Sequence, residues 1–186
     1  MSETSVEHLQ FLTPGIAQRA CLCVEELVKN GGPVFRFLKR RDLHIVVLVP
    51  TLVIHEDKPY PEKYEQGVEV LYEHSMGDRD EWAHPYDEIA QCKVLQLWQK
   101  RNNGSQCIQP HLLFPGDTPY YGGVYRHGFA VGCSGQFERH DTMIAGIISD
   151  MCVALAAEAY ERRDTTDEKE FIEQEWRNDP LEKVVS

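Results

Sequence analysis

The pair His140-Asp141 combines the two side chains in the sequence that are best suited to acid–base chemistry. The pKa of a free imidazole lies near neutrality, so His140 is a candidate general base or metal ligand. Asp141 is equally explained as a favourable charge in the first turn of a helix. Ser134-Gly135 lies just upstream, where Ser134 either caps that helix or belongs to an anion site built from the free N–H groups of the helix.

Two further features could complete a site with this pair. Lys93 interrupts the apolar face of a predicted helix, so its ammonium group must reach the surface, pair with a carboxylate such as Asp141, or face a ligand. Gly122-Gly123 allows close approach of a ligand or of another backbone, and a simple bend of the strand explains the pair equally well. Tyr121 could line an apolar ligand site, or pack in the core or at a subunit interface.

The sequence lacks the motifs of several large enzyme classes. Neither a glycine-rich phosphate loop nor a Gly-x-Ser-x-Gly elbow is present, which disfavours nucleotide-dependent chemistry and serine-elbow hydrolysis. Cys21-x-Cys23 would point to different helix faces, and no histidine pair has zinc-binding spacing, so we do not expect a structural zinc site. Whether another metal binds stays open. The histidines at predicted turns and element ends are His84, His111, His127 and His140.

An alternating series of helices and strands must position these residues. Thr13 and Pro14 suit the start of a first helix, and the β-branched run 43–49 is typical of a strand buried on both faces. The order of elements predicts an antiparallel sheet covered by helices. The remaining expected elements are strands at 34–38 and 68–74, a loop over 55–67, a helix at 86–100, a lid or long connection over 102–119, two strands around a turn at His127-Gly128, and a final helix.

Composition and charge restrict the partners and the compartment. The 19 Lys and Arg residues against 30 Asp and Glu residues give a net charge of -11, which repels nucleic acids. The longest apolar run contains Pro50 and is far shorter than the roughly 20 residues of a membrane-spanning helix. The start of the chain shows no secretory signal, and the dispersed cysteines suit free thiols, so we expect a cytoplasmic protein.

The stretch from Gly122-Gly123 to Ser134-Gly135, followed by Asp141, resembles the GlcG/HbpS/PduO C-terminal family, also called the haem-degrading domain family. Members of that family have a Gly-Gly pair opening one strand, a Ser-Gly-like end to the next and an Asp at the start of the final helix. The stretch from Ile89 to Lys93 also resembles the family's Ile-Ala-x-x-Lys helix. The resemblance covers residues 13–160 and implies a profilin-like α-β-α sandwich, with a central antiparallel sheet flanked by helices.

The chain departs from that family in two places. It carries an insertion at about residues 51–67, and an acidic extension over residues 165–186. We therefore predict a single GlcG-like domain over residues 1–164 that is followed by this extension.

The resemblance implies a soluble homo-oligomer that binds a small organic ligand, with haem or a related tetrapyrrole as one candidate. The site would involve Gly122, Gly123, Ser134, Gly135 and Tyr121, although no histidine here matches a haem ligand of the family. The alternative is a cofactor-independent enzyme of the isomerase or cyclase type, with His140 as base and Lys93 or a helix N-terminus stabilising the developing anion. A third possibility is a protein-interaction module that uses the acidic tail. The expected partners are a small ligand and further copies of the chain, and neither a nucleic acid nor a membrane.

Overall fold

The computed structural model describes residues 4–30, 35, 38, 41–102 and 108–163. These residues form five strands and three α-helices, together with short 3₁₀ turns at Arg79–Glu81 and Pro110–Leu112. In chain order the strands and α-helices are β1 (Thr4–Glu7), α1 (Pro14–Asn30), β2 (Leu43–His55), β3 (Tyr64–Met76), α2 (Tyr86–Trp98), β4 (Gly123–Arg126), β5 (Phe129–Ser134) and α3 (Glu138–Glu161).

The strands form one antiparallel sheet organised around β2. Strand β3 pairs with β2 along nearly its whole length, with a register shift between Val47 and Leu48. The other edge of β2 is shared, because β5 pairs with its first half and β1 pairs with its last four residues. Strand β4 lies outside β5. The predicted antiparallel sheet is therefore confirmed.

Alternate residues of the central strands pack against helices on opposite faces of the sheet. Leu43, Ile45 and Val47 of β2 belong to the core that also contains buried residues of α1 and α3. Val46 and Leu48 instead pack with buried residues of α2. The arrangement is an α+β sandwich, as the sequence predicts, and the profilin-like assignment stays a prediction.

Two local predictions are confirmed in detail. The Thr13 hydroxyl accepts a hydrogen bond from the Ile16 N–H (3.3 Å) at the start of α1, so Thr13 caps this helix. His127 and Gly128 connect β4 to β5 with φ angles of 57° and 86°. Positive φ at both central residues is the geometry of a tight hairpin turn that suits twisted strands.

The predicted loop over 55–67 is wrong in extent. Strand β2 continues to His55 and β3 begins at Tyr64, so only the residues between them form the hairpin connection. Residues 64–67 (Tyr-Glu-Gln-Gly) belong to β3 through their backbone pairing with β2, although their sequence shows no alternation of polar and apolar residues. The short strand β1 was not predicted. In the strand expected at 34–38, Phe35 lies in a turn, and residues 34, 36 and 37 are outside the described part. The predicted extension 165–186 also lies outside the described residues.

Helix α3 is long and apolar enough to cross a membrane by length and composition alone. In the structure, Ile144 and Ile148 of this helix are fully buried in the core shared with α1 and the sheet. The apolar character of α3 is thus explained by its packing, and its first turn carries Asp141 to the end of β5.

Candidate functional site

A buried ion pair joins α2 to the first turn of α3. Lys93 Nζ lies 2.9 Å from Asp141 Oδ2, and the two side chains are only 2% and 1% exposed. The same ammonium group donates a second hydrogen bond to the carbonyl oxygen of Cys133 (3.0 Å), near the end of β5. Of the alternatives that the sequence left open for Lys93, the structure shows the pairing with Asp141.

The carboxylate of Asp141 is held by further contacts. Its Oδ1 atom accepts a hydrogen bond from the Gln136 N–H (3.0 Å), and the Cys133 thiol lies 3.8 Å from the same oxygen. Burial raises the pKa of Asp141, and the opposing effect of Lys93 is smaller. Burial together with the nearby carboxylate raises the pKa of Cys133 well above its usual value, so this thiol stays protonated.

The Gly122-Gly123 pair is required by close contacts around this ion pair. A Cβ on Gly122 would lie 2.9 Å from Lys93 Nζ and 2.8 Å from Asp141 Cβ, and the φ angle of Gly122 is +136°. A Cβ on Gly123 would lie 2.6 Å from a methyl carbon of Leu97 on α2. Side chains at these positions would separate β4 from α2 and from the ion pair, so the close-approach interpretation holds.

The structure assigns Ser134 to the sheet and not to a helix cap. Ser134 is the last residue of β5 and is buried, whereas the residue that precedes α3 is Phe137, with no side-chain cap. The capping interpretation of Ser134 is therefore wrong. The N–H group of Gln136 is already bonded to Asp141, so this carboxylate takes the place that the sequence offered to an external anion. Gly135 is buried beside Ser134.

His140 and Asp141 adjoin each other but face different surroundings. The His140 ring lies edge-on to Phe137 with 6.0 Å between ring centroids, whereas Asp141 points to Lys93 and Cys133. Burial and the neighbouring Arg139 lower the pKa of His140. The imidazole is therefore neutral at pH 7, as a general base requires. Tyr121 is half-buried and directly precedes Gly122.

The sequence analysis missed His44, which lies next to this region. His44 is only 3% exposed and faces α2, and its register partners are Ser75 on β3 and Ser134 on β5. Its Nδ1 atom is 2.8 Å from the Ser75 hydroxyl, and burial lowers its pKa. The sequence did contain a signal, because a histidine inside the apolar run 43–49 must be buried with the rest of the strand.

The other candidate histidines lie apart from the ion pair. His127 is at the β4–β5 turn, where Nε2 is 3.3 Å from Asp150 Oδ1. His111 is in the second 3₁₀ turn, and His84 is exposed before α2. Within residues 4–30, 35, 38, 41–102 and 108–163, no three His, Cys, Asp or Glu side chains are placed to hold one metal ion.

The segment that the sequence suggested as a lid is attached to α2 over its described part. Arg101, just beyond α2, pairs with Asp117 and donates to the Leu112 carbonyl oxygen (3.1 Å). The buried Gln96 amide donates to the Thr118 carbonyl oxygen (3.1 Å). Arg101 lowers the pKa of Asp117 to about 2. These bonds favour a fixed connection over a mobile lid for residues 108–119.

The arrangement brings charged and hydroxyl groups to one end of the sheet. Lys93, Asp141, Ser134 and His44 are all buried there, and Tyr121 and His140 lie nearer to the surface. Such groups can hold the polar atoms of a small molecule, or move a proton if the molecule reaches His140.

Comparison with known proteins does not identify the chain: no protein-family model, no curated protein and no solved structure matches it. The resemblance to the GlcG/HbpS/PduO C-terminal family therefore stays a prediction from the motifs.

Proposed function

We propose that this protein binds a small organic molecule at the end of the sheet where α2, Gly122-Gly123 and the start of α3 meet. The observation that carries the proposal is the fully buried Lys93–Asp141 pair beside two large apolar core clusters. Perturbed, buried ionisable groups concentrate at functional sites, because stability alone rarely favours them.

The energetics of burial support a role beyond holding the layers together. Transfer of two charges from water to the interior costs several kcal/mol per ion, and a well-packed apolar pair of similar size is often as stable. The Cys133 carbonyl, the Gln136 N–H and the Cys133 thiol accordingly supply the extra contacts that the pair needs. In our proposal the ion pair holds the start of β4 and the end of β5 in place, and the ligand binds against the backbone of these two strand ends.

The side chains that would contact the ligand are those near the surface of the same region. Tyr121 and His140 are partly exposed, and each adjoins a residue of the buried cluster in sequence. An aromatic ring and a neutral imidazole suit a ligand that is mainly apolar with a few hydrogen-bonding groups.

Haem fits this donor set poorly. The Cys133 thiol is buried and protonated and lies against Asp141, so it is a weak candidate for an iron ligand. The Lys93 ammonium group is engaged by two protein oxygens. His44 lies almost entirely beneath the surface, where a ring system as broad as a porphyrin could not reach it. The described buried groups therefore offer no iron ligand, and a tetrapyrrole would depend on the partly exposed His140.

The proposal is tested with a thermal-shift screen of small organic metabolites, with hemin included and its absorbance followed. We expect a small ligand to raise the melting temperature, and Tyr121→Ala to weaken its binding by about tenfold without loss of stability. Tyr60→Ala, which changes a tyrosine that is 83% exposed and distant in sequence, is the control. If no small molecule binds, or if Tyr121→Ala and Tyr60→Ala behave alike, the site is wrongly placed.

The neutral imidazole of His140 favours acid–base catalysis at the same place as a second candidate function. Its lowered pKa leaves it able to accept a proton at pH 7. Once a ligand is known, turnover that is lost in His140→Gln while binding is retained would support the enzyme. Equal turnover in both proteins would remove His140 from the chemistry.

A second copy of the chain is the partner that we propose for an exposed face of the sheet. Strands β2 and β3 extend beyond α2, and their α2-facing residues Leu52, Tyr64, Val68 and Val70 are 42–51% exposed. The opposite face of this extension is polar, with His55 bonded to Glu65 (3.0 Å). On a chain of net charge -11, this exposed and mainly apolar face, with Glu7 of β1 opposite Leu52, is where two like-charged copies can meet.

The oligomer is tested by light scattering on matched leucine variants. We expect a mass that is a multiple of 21.4 kDa for the wild type and a lower mass for Leu52→Glu. Leu22→Glu is the control, because Leu22 on α1 is exposed to nearly the same degree, 43% against 42%. A monomeric wild type would refute the oligomer, and unchanged assembly of Leu52→Glu would refute this interface.

A further inference from the structure

The imidazole of His44 presents a buried nitrogen that the described residues leave without a hydrogen bond. His44 Nδ1 is 2.8 Å from the Ser75 hydroxyl, while Nε2 is inaccessible to solvent and has no partner among the described residues. A buried polar atom without a partner destabilises the folded state, so its presence calls for an explanation.

The surroundings of His44 are aromatic on one side and polar on the other. The Trp82 ring lies edge-on to His44, with 6.1 Å between centroids, and Tyr86 lies 5.5 Å from Trp82. Ser134 is directly opposite His44 in the β2–β5 register and on the same face of the sheet. Side chains in such a pair have Cβ atoms about 4.5–5.5 Å apart, so a molecule at Nε2 would also be within reach of the serine hydroxyl.

The hydrogen bonding fixes which form of the ring is favoured. If Nδ1 carries the proton and donates to Ser75, Nε2 is left with a lone pair. The other tautomer would bury an unsatisfied N–H, which proteins tolerate less well than an unsatisfied acceptor. Burial also lowers the pKa of His44, with Arg79 adding to the effect and Glu73 opposing it, so the neutral ring is favoured at pH 7. The free position is therefore an acceptor.

We propose that His44 Nε2 anchors a small, neutral, planar molecule that carries an N–H or O–H donor, such as an azole or a phenol, beneath Trp82. The donor bonds to Nε2, the ring packs against Trp82 and Tyr86, and an acceptor on the ligand can take the Ser134 hydroxyl. An anionic ligand is disfavoured, because the free position of His44 is a lone pair that cannot donate to a second acceptor. This inference rests on the proposed small-ligand function and names its anchoring atom and chemical class.

Trp82 controls access to this position. Its indole N–H donates to the Met76 carbonyl oxygen (3.3 Å), and the Arg79 guanidinium lies 5.5 Å from the ring centre. Trp82 is the one half-buried residue of the stretch 77–85, all others of which are exposed. A shift of this exposed stretch would open the way to His44 without disturbing the sandwich, and the same indole reports ligand binding by its fluorescence.

The test measures binding of pyrazole, which is neutral, planar and carries adjacent donor and acceptor nitrogens. The intact protein is titrated with pyrazole and with 1-methylpyrazole, which has nearly the same shape but no N–H. Calorimetry and tryptophan emission give the affinity, and ¹⁵N spectra of the histidines show whether His44 Nε2 accepts a hydrogen bond. We expect pyrazole to bind at least about tenfold more tightly than its methylated form.

Two variants locate the binding. His44→Phe keeps a planar ring without nitrogen and should lose the preference for pyrazole, whereas His55→Phe, on the same strand but bonded to Glu65, should keep it. If His44→Phe does not fold, the comparison of the two probes with the ¹⁵N spectra still decides the matter. Equal affinities for the two probes, no pyrazole binding at millimolar concentration, or undiminished binding to His44→Phe would overturn the inference.

The outcomes also separate this inference from the proposed function. If pyrazole fails while another small molecule from the screen binds in a Tyr121-dependent manner, the proposed function stands and the His44 site is wrong. If pyrazole binds through His44 and Tyr121→Ala has no effect, the ligand site is at His44 and not beside Tyr121.

Discussion

Removing one partner of the buried Lys93–Asp141 pair should destabilise the protein strongly. In Lys93→Met the Asp141 carboxylate, 1% exposed, keeps the Gln136 N–H and the Cys133 thiol as its contacts among the described residues. Methionine has a similar length and leaves little empty volume, so the loss is mainly electrostatic. Breaking a buried pair in this way costs about 3–5 kcal/mol, a large share of the roughly 5–15 kcal/mol that stabilises an ordinary domain.

The stability of Lys93→Met should depend on pH through the buried carboxylate of Asp141. In Lys93→Met, burial raises the pKa of Asp141 in the folded state above its value in the unfolded chain, so the folded state retains a proton. The variant should thus be most stable near pH 4, the usual pKa of Asp in an unfolded chain. Its free energy of unfolding should fall by up to about 1.4 kcal/mol per pH unit as the pH rises from there to the raised pKa of Asp141 in the folded state. Asp141→Asn instead leaves the Lys93 ammonium group buried without a carboxylate, so it should also be destabilised at pH 7.

The double variant Lys93→Met/Asp141→Asn should recover part of the loss, because neither charge is stranded. Urea unfolding at pH 5, 7 and 9 gives the four free energies of the cycle and the coupling energy. The exposed pair Arg162–Glu158 provides the control, since Arg162→Met should change the free energy of unfolding by less than about 0.5 kcal/mol. Single variants that each cost under about 1 kcal/mol, or a Lys93→Met protein whose stability does not fall as the pH rises above 4, would refute this account of the pair.

Three further outcomes are expected. Gly122→Ala should reduce the free energy of unfolding by about 1–3 kcal/mol, because the new Cβ meets Lys93 and Asp141. Gly116→Ala is the control and should cost less, since Gly116 also has a positive φ angle but open space around it. Equal losses in the two variants would contradict the close-contact argument. The pKa of Asp117 is lowered to about 2, so its ionised carboxylate contributes stability above about pH 4 that is lost as the pH falls through 2. Asp117→Asn should therefore reduce the free energy of unfolding by about 1–2 kcal/mol at pH 7 and by little near pH 2. A loss in urea unfolding that does not depend on pH would argue against the pairing with Arg101. Deletion of residues 165–186 should leave a folded core with unchanged circular dichroism, and an insoluble or molten product would place the extension within the domain.

Much of the local structure could be predicted because it depends on neighbours in sequence. The start of α1 at Thr13-Pro14 and the hairpin turn at His127-Gly128 follow from capping and turn chemistry, and both are found in the structure. Lys93 could be identified because a cation on an apolar helical face needs a partner. Asp141 was a reasonable candidate, since it opens a helix that packs near the same strand.

What the sequence did not reveal depends on distant residues. His44 looks like one member of a buried strand, and its properties arise from Ser75 on β3 and from Trp82, which only the fold brings beside it. The extension of β2 and β3 was mistaken for a loop because its polar residues were taken as a group. Those residues form a strand because they pair with β2, as in Val53↔Glu65 and Ile54↔Tyr64, and the pairing of β1 with the same extension is equally non-local.

The distribution of buried polar groups links the fold to the proposed function. The two apolar layers of the sandwich, one with α1 and α3 and one with α2, account for most of the burial without any charged group. The ion pair, the unpartnered nitrogen of His44 and the hydroxyl of Ser134 all lie at the end of the sheet where β2 begins and β5 ends. Each of these groups costs free energy that an apolar residue would not. Single buried polar groups such as Gln96 and Ser149 also occur elsewhere, but the ion pair, His44 and Ser134 share one end of the sheet, as expected of a site under selection for binding. If His44→Phe proves as stable as the wild type or more so, while pyrazole recognition is lost, that trade of stability for binding will have been measured directly.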